Sequence, residues 1–511
     1  MQQGDERGVA VAAGQAGAAR TARTAGTAGK AMSDDGQDPR RWAALGVCLV
    51  AAFMTLLDVS IVNVALPSIR AGLNASSSTL SWVLSGYALT FGLVLVPSGR
   101  LGDARGRRNL FVAGVALFTV ASAAAGIATT STWLVAARLV QGLAGGILTP
   151  QITGLIQQLF RGEERGRAFG FFGATIGIST AIGPLLGGLI IKLFGVADGW
   201  RWIFYVNLPV GVLAIALAFR VIPHRSRSKA ERGGQDLDPV GVGLLGTGVL
   251  SLLLPFVEER EWKGSAKWLL VVLAVVLLGA FVAWERRYQG RGGQPVVNLE
   301  LLQVRSYSLG ALVGLLFFAG FTGIFFIFTL FLQNGLGYSA LLAGASLTPF
   351  ALASAVSATI GGRTITRFGR AQIAAGLALV ALGFIGTDIA VKLVPGHSAA
   401  LATLLPLVIG GFGSGLVIAP NQSVSLAEVP PAQGGAAGGV LQTCQRIGAA
   451  VGIAAIGSVF FSTLASHRGD YAVAYRHALY VNIAFILAAL AVAAADVVTH
   501  KRRTGTVAQP V

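Results

Sequence analysis

The chain has 511 residues, of which 54% are hydrophobic and 12% charged, and its mean hydropathy is +0.69. That composition excludes a soluble enzyme of this length and makes the bilayer the main solvent. The net charge of +17 is spread over many loops rather than gathered on one face, so membrane topology accounts for it and no nucleic-acid partner is implied.

Residues 1–41 contain Ala/Gly/Thr/Arg repeats such as Thr21 to Gly29, cannot bury a core, and are expected to be a disordered tail. No apolar segment precedes a cleavage site there, so the stretch does not read as a signal peptide, and Met32 is an alternative start.

A helix needs about 20 mostly apolar residues to cross the hydrocarbon. On that measure the chain divides into fourteen spans, roughly 42–68, 77–98, 109–128, 132–155, 168–191, 202–220, 239–256, 268–285, 306–332, 342–361, 371–391, 400–420, 436–460 and 478–499. The division is weakest where only Gln333 to Gly337 marks a turn, and where Pro430-Pro431 does. Between the sixth and seventh spans, His224 to Asp238 reads as a basic, glycine-containing linker. With both termini on the inner side, 28 Lys/Arg fall inside and 9 outside, so the expected orientation is N-in and C-in at the cytoplasmic membrane.

Asp58 is the sole acidic residue of the first span, and an ionisable group there costs several kcal/mol unless it faces a cavity or finds a partner. Arg138 in the fourth span lies at similar depth, so the two can pair. Protonating Asp58 would release Arg138 and change the charge of a cavity, the physical requirement for exchanging a proton against a substrate. The competing reading makes Asp58 a structural carboxylate near the break at Pro67.

Between the second and third spans, Gly99 to Arg108 carries four arginines and one aspartate among glycines. These residues are expected to form a short water-facing loop coupling two helices, or, more simply, a topological anchor. A phosphate cradle is disfavoured, because no GxxxxGK[ST] pattern follows and no strand precedes it. Gly362 to Arg370 echoes this loop, with Thr366 in place of Asp103, and both follow a helix of the same direction. The halves therefore read as parallel repeats, the arrangement of a transporter built as two rocking bundles.

In the fifth span Gly173, Gly177, Gly183, Gly187 and Gly188 permit close helix approach, and Pro184 removes one backbone bond. Span 436–460 repeats the small-residue spacing and holds Arg446. The ninth span is rich in phenylalanine, from Phe317 to Phe331, for which lipid contact is the leading account and an apolar cavity wall the other. Asn63, Gln151, Phe321, Phe325, Gln442, Gln445 and Arg446 together are candidates for a cavity suited to bulky lipophilic molecules. Cys48 and Cys444 lie in apolar runs and offer no disulfide framework, and neither a metal site nor a cofactor is expected.

The Gly99–Arg108 stretch resembles the G-x-L-a-D-r-x-G-r-r signature of the major facilitator superfamily, with Ala104 at a position usually arginine. Arg138-Leu-Val-Gln-Gly142 is similar to the fourth-span R-x-x-q-G motif, and Gly170 with Gly183-Pro-Leu-Leu-Gly-Gly188 to the fifth-span antiporter motif. Leu57 to Pro67 and Trp200 to Pro209 resemble the first- and sixth-span signatures of its fourteen-span drug:proton antiporter branch. The resemblance implies an all-α integral membrane protein of major facilitator fold. It implies an N-terminal six-helix bundle at 42–222, a linker with two extra spans at 223–304, a C-terminal bundle at 305–499 and a tail at 500–511. It further implies a gating loop of Gly99, Gly102, Asp103, Gly106, Arg107 and Arg108, and a fifth-span bend at Gly170, Gly183, Pro184, Gly187 and Gly188 that seals the cavity against leak.

The leading expectation is therefore a proton-coupled exporter of lipophilic compounds, complete within one chain, with protons, a small lipophilic substrate and the bilayer as its partners. Transport of an endogenous metabolite is the alternative within the same fold. A non-transporting sensor is disfavoured by the presence of Asp58 and Asp103, and a membrane enzyme by the lack of a metal cluster, a Walker motif or a nucleophile–base pair within the spans.

Overall fold

The computed structural model describes residues 38–223, 238–257, 262 and 264–506. The expected tail before residue 38, nearly all of the 224–238 linker and the last five residues lie outside them. Among the described residues, fourteen helices are long and apolar enough to span a membrane, in the number and order expected. We label them α1 (Arg41–Leu73), α2 (Ser78–Arg105), α3 (Arg107–Gly126), α4 (Ser131–Leu159), α5 (Gly162–Phe194), α6 (Gly199–Val221), α7 (Pro239–Phe256), α8 (Ser265–Gly290), α9 (Arg305–Gly335), α10 (Leu341–Phe368), α11 (Arg370–Leu393), α12 (Leu404–Ser425), α13 (Pro431–Ser466) and α14 (Tyr471–Thr499). The last helix continues to Thr506, into the stretch expected to be a tail.

Local chemistry sets several starts. Ser76, Thr130 and Ser339 accept the N–H of Thr79, Trp133 and Leu342 through their side chains, satisfying amide groups that a helix N-terminus leaves unpaired. Helices also run on through prolines, at Pro67, Pro97, Pro150, Pro184, Pro349 and Pro420, as transmembrane helices tolerate when neighbours shield the freed carbonyl.

The anticipated ten-residue loop is much tighter. Gly99 to Arg105 is the last part of α2, α3 begins at Arg107, and the reversal is made at Gly106 alone, whose φ of +104° disfavours a side chain. The repeat behaves alike: Gly362 to Phe368 belongs to α10, and Gly369, at φ +51°, turns the chain into α11. The arginines therefore sit on helix ends, where buried partners are within reach.

Helices α1–α6 and α9–α14 form two bundles, and the apolar core of the first continues across the seam to Ala358, Ala419 and Leu441 of the second. Phe111, Phe118, Phe160 and Phe169 are buried in the first, and Phe317, Phe328, Phe350 and Phe384 in the second. Phe317, Phe328 and Phe331 are buried in that second core, which corrects the expectation of lipid contact for these three. They pack because α9 faces α12, α13 and α14 rather than standing at the rim. The extra pair, α7 and α8, packs along the seam between bundles: Leu245, Val249 and Leu253 of α7 share a small core with Leu89 and Val96 of α2, and Val440, Ile447 and Ala450 of α13 pack against it.

Candidate functional site: a buried ion pair and an inter-bundle lock

Inside the first bundle, Asp58 is 0% exposed and Arg138 1% exposed, and Nη1 of Arg138 meets Oδ2 of Asp58 at 2.5 Å. The other carboxylate oxygen accepts from Asn207 Nδ2 at 3.0 Å and Gln141 Nε2 at 3.2 Å. Both amides also reach Ser122 Oγ, at 3.2 and 2.7 Å, while Arg138 donates to the Val83 carbonyl at 3.1 Å and to Gln141 Oε1 at 2.9 Å. Three side-chain donors on one carboxylate suit its ionised, acceptor-only form. The pair thus meets the condition under which buried charge is tolerated, namely good geometry with the remaining lone pairs satisfied.

The elements explain the convergence. Asp58 lies on α1, Ser122 on α3, Arg138 and Gln141 one turn apart on α4, and Asn207 where α6 restarts after the turn at Val206. Gly142 lets α4 approach α2, since a Cβ there would strike Thr90 Oγ1 and the Tyr87 carbonyl. The first-, fourth- and sixth-span motifs therefore meet at one carboxylate. Gln141, Asn207 and Ser122 had no assigned role in the sequence reading, although the first two stood inside quoted motifs.

An aromatic relay leads from this pair to the other bundle. The Arg138 guanidinium lies 4.4 Å from the Tyr87 ring centroid, Tyr87 stacks on Phe91 at 5.9 Å, and the Arg446 guanidinium of α13 lies 4.4 Å from the Phe91 centroid. The buried Arg138 and the half-buried Arg446 are each held on a ring face, an arrangement worth about 0.5–1 kcal/mol at exposed sites and about 2 kcal/mol or more when desolvated.

The second constellation closes the seam at the helix ends bearing Arg100–Arg108 and Arg363–Arg370, which we term the arginine-rich face. Asp103 accepts from the Gly435 and Ala436 amides at 3.1 and 2.8 Å, which places a carboxylate on the N-terminus of α13. Arg107 donates to Asp103 Oδ1 at 2.6 Å, the Gly154 carbonyl at 2.6 Å and the Pro431 carbonyl at 2.5 Å. Gln157 reaches the Leu426 carbonyl at 2.7 Å. Gly99 lies so close to the Gly435 backbone that a Cβ would collide with it. Arg108 caps the end of α6 instead, donating to the Phe219 carbonyl at 2.8 Å. Of the expected gating residues, Gly99, Asp103 and Arg107 touch the opposite bundle; Gly102 packs on Gln151, Gly106 makes the turn, and Arg108 stays within its own bundle.

The glycines of α5 divide between two neighbours. Gly170 faces Ala358 and Gly362 of α10, with Gly166 and Gly177 on the same side, whereas Gly183 and Gly187 face Ser60 and Ile61 of α1. Pro184 abuts Gly344, and Gly188 has Leu341 nearby. One stripe thus serves both the inter-bundle seam and the helix that carries Asp58.

The residues grouped as a substrate cavity make several different contacts. Gln151 is buried and donates to the Ser98 carbonyl at 2.9 Å, so it belongs to α2–α4 packing. Gln442 crosses the seam to Thr153 Oγ1 at 3.1 Å, and Gln445 lies near Gly314. Phe321 and Phe325 form an aromatic cluster with Phe350, with centroids 5.9 and 5.4 Å from it, while Asn63 is exposed and bonds the Val59 carbonyl at 2.9 Å. Three further intramembrane acids escaped the sequence reading. Asp388 pairs with Arg476 at 2.8 Å, Asp496 with Arg370 at 2.7 Å, and Glu285 is buried on α8. Among the described residues no group of three or more His, Cys, Asp or Glu is placed to hold a metal ion.

The sequence profile of the Major Facilitator Superfamily matches residues 48–453. This chain belongs to that superfamily. It is 38% identical over 432 residues to a probable actinorhodin transporter of Streptomyces coelicolor, covering 84% of this chain and 74% of that one. It is 35% identical over 442 residues to a puromycin resistance protein of Streptomyces alboniger, covering 85% of each. Among solved structures, the human organic anion transporter MFSD10 superposes with TM-score 0.64 at 15% identity, over 89% of this chain and 100% of that one. That likeness is one of fold. As a superfamily member with fourteen spans, the protein is a multi-pass membrane transporter rather than an enzyme.

Proposed function

We propose that this transporter is a proton-coupled antiporter that exports lipophilic drugs or antibiotics across the cytoplasmic membrane, with its termini and arginine-rich face in the cytoplasm and one chain forming the whole pathway. The observation that carries this reading is the Asp58–Arg138 pair, fully buried and joined by the aromatic relay to Arg446 of the opposite bundle. A buried carboxylate with a single cationic partner is a device that takes up a proton only when the partner is released, so proton binding and helix rearrangement become one event. The lock at Asp103 marks this conformation as closed on the arginine-rich face, the state in which an exporter takes its proton from the opposite side.

The relatives named for actinorhodin transport and puromycin resistance support an antibiotic-type substrate. The cluster of Phe317, Phe318, Phe321, Phe325 and Phe350 supplies apolar surface for one. The excess of Lys/Arg on the arginine-rich side supports the orientation.

Cells lacking their main efflux pumps, expressing the protein and loaded with a panel of dyes and antibiotics, test the reading. Export should stop on addition of a protonophore while ATP is maintained. Export that survives collapse of the gradient and ends on ATP depletion overturns it.

A further inference from the structure

The extra helices α7 and α8 bring two carboxylates together away from the Asp58 site. Asp238 is 1% exposed and sits in the left-handed region at φ +42°, an unusual conformation for a residue with a Cβ. Its side chain caps α7, with Oδ1 accepting from the Gly241 amide at 3.0 Å, and Trp284 Nε1 donates to its two oxygens at 2.9 and 3.1 Å. Glu285, the next residue on α8, is 0% exposed. Both carboxylates converge on Gly241, where a Cβ would lie 3.2 Å from Glu285 Oε1 and closer still to Asp238 Oδ2.

The hydrogen bonds divide the two acids. Asp238 takes donors at both oxygens, as an ionised cap does. Glu285 Oε1 accepts the Val296 amide at 3.0 Å and the Val297 amide is also directed at this carboxylate, whereas Oε2 is buried and makes no hydrogen bond of good geometry among the described residues. A buried carboxylate oxygen with no donor, beside a second carboxylate, is the environment in which a carboxyl keeps its proton. Among the described residues, the charged groups facing it are Asp238 at the start of α7 and Arg100 from α2, with Arg286 and Arg287 following on its own helix.

The amide that Glu285 holds belongs to the connector from α8 to α9, and that connector crosses the seam. Gln294 accepts from Arg100 Nη2 at 2.8 Å, Asn298 reaches Gln433 at 3.5 Å, and beyond it Tyr307 donates to the Ala437 carbonyl at 2.9 Å. Arg100 stands on the first bundle and Gln433 in the opening turn of the second bundle's α13. A cavity of about 310 Å³ lies beneath the connector, lined by Val296, Val297, Asn298, Asp103 and Gln433. Its wall includes Val296, whose amide Glu285 holds.

We propose that Glu285, paired with Asp238, is a second proton-binding site, and that its protonation keeps the 291–304 connector seated across the seam beside the Asp103 lock. The proton comes from solvent on the arginine-rich face and returns to it. On its loss, two adjacent buried anions repel and draw water, the connector lifts, and the seam on that face loosens. The site is separate from Asp58, so it senses pH on one face without carrying the coupled proton.

The full-length protein in lipid nanodiscs tests this, with Cys48 and Cys444 replaced by alanine and spin labels at Glu163→Cys and Ala427→Cys, exposed positions on opposite bundles. On acidification the distance between labels should shorten, and the infrared pH-difference spectrum should gain a protonated-carboxyl band. Glu285→Gln should remove that band and leave the distance short at every pH, whereas Asp58→Asn should retain both responses. Asp238→Asn, which removes the repelling neighbour, should move the distance transition toward acid by roughly one pH unit. A band and distance change that persist in Glu285→Gln overturn the proposal; should that variant not fold, an unshifted transition in Asp238→Asn overturns it.

Discussion

Asp103, near the end of α2, places its carboxylate on two amides near the start of α13, at 3.1 Å from Gly435 N and 2.8 Å from Ala436 N, so one side chain closes the two bundles against each other. Arg107, one turn along, holds that carboxylate and reaches across the same seam to the Pro431 carbonyl. The charge therefore neutralises locally, through charge-assisted hydrogen bonds that are stronger than neutral ones.

Replacing Asp103 by asparagine keeps the shape and removes the charge. Hydrogen bonds to charged groups contribute about 1.5–3 kcal/mol each, so even one lost across the seam should shift the balance of closed and open states roughly tenfold or more. Asp103→Asn should be inserted at normal levels, transport poorly, and show increased labelling of a cysteine at Ala436 by a membrane-impermeant thiol reagent applied to the arginine-rich side. Normal transport with unchanged labelling would reduce the turn to a topological anchor.

Gly362 tests the same seam where no charge takes part. A Cβ there would lie 2.6 Å from the Gly170 Cα and clash with the Gly166 carbonyl, so α5 and α10 meet through bare backbone. Gly362→Val should force these helices apart and lower the closed population at least as strongly as Asp103→Asn. Gly46, which has nothing near its missing side chain, should accept alanine without effect on transport.

The number and order of the spans were legible because length and hydropathy suffice to read a helix that must satisfy its own backbone in lipid. The approach of Asp58 to Arg138 was legible too, because two rare charges fell at one depth. What escaped the sequence was direction. Gln151 and Gln442 read alike as polar cavity residues, yet one faces its own bundle and the other crosses the seam, a difference that only helix rotation decides. Gly99 to Arg105 read as loop because its charges were assumed to need water, whereas Asp103 and Arg107 find buried partners on helix ends. Asp388, Asp496 and Glu285 went unremarked near the ends of predicted spans, where an acid carries little signal against the background of interfacial charge.

Asp388 and Arg476 form an ion pair on the second bundle, but their side chains keep 15% and 26% exposure. Pairs open to solvent contribute about 0–1 kcal/mol. Arg476→Ala should therefore lower thermal stability only slightly and leave export rates near those of the unmodified protein. A loss of transport comparable to that of Asp103→Asn would show that this pair belongs to the transport machinery.

The Asp58–Arg138 pair should behave in the opposite way, because removing one partner strands the other in the protein interior. Breaking a buried pair costs about 3–5 kcal/mol, most of it the penalty of an uncompensated charge. Arg138→Ala leaves the Asp58 carboxylate with only Asn207 and Gln141 as donors, so folded protein in detergent should fall sharply on heating. Asp58→Asn strands the guanidinium instead, though the Val83 carbonyl, Gln141 and the Tyr87 ring soften the loss. The double variant Asp58→Asn with Arg138→Gln replaces both charges by amides that can bond each other, and should recover much of the stability lost by either single change. It should not recover proton-driven export, since no titrating group remains at the site. Thermal unfolding of the three variants, measured beside export from loaded cells, separates the two roles: stability restored without transport assigns the pair to coupling, whereas a double variant that exports normally would make it a structural brace.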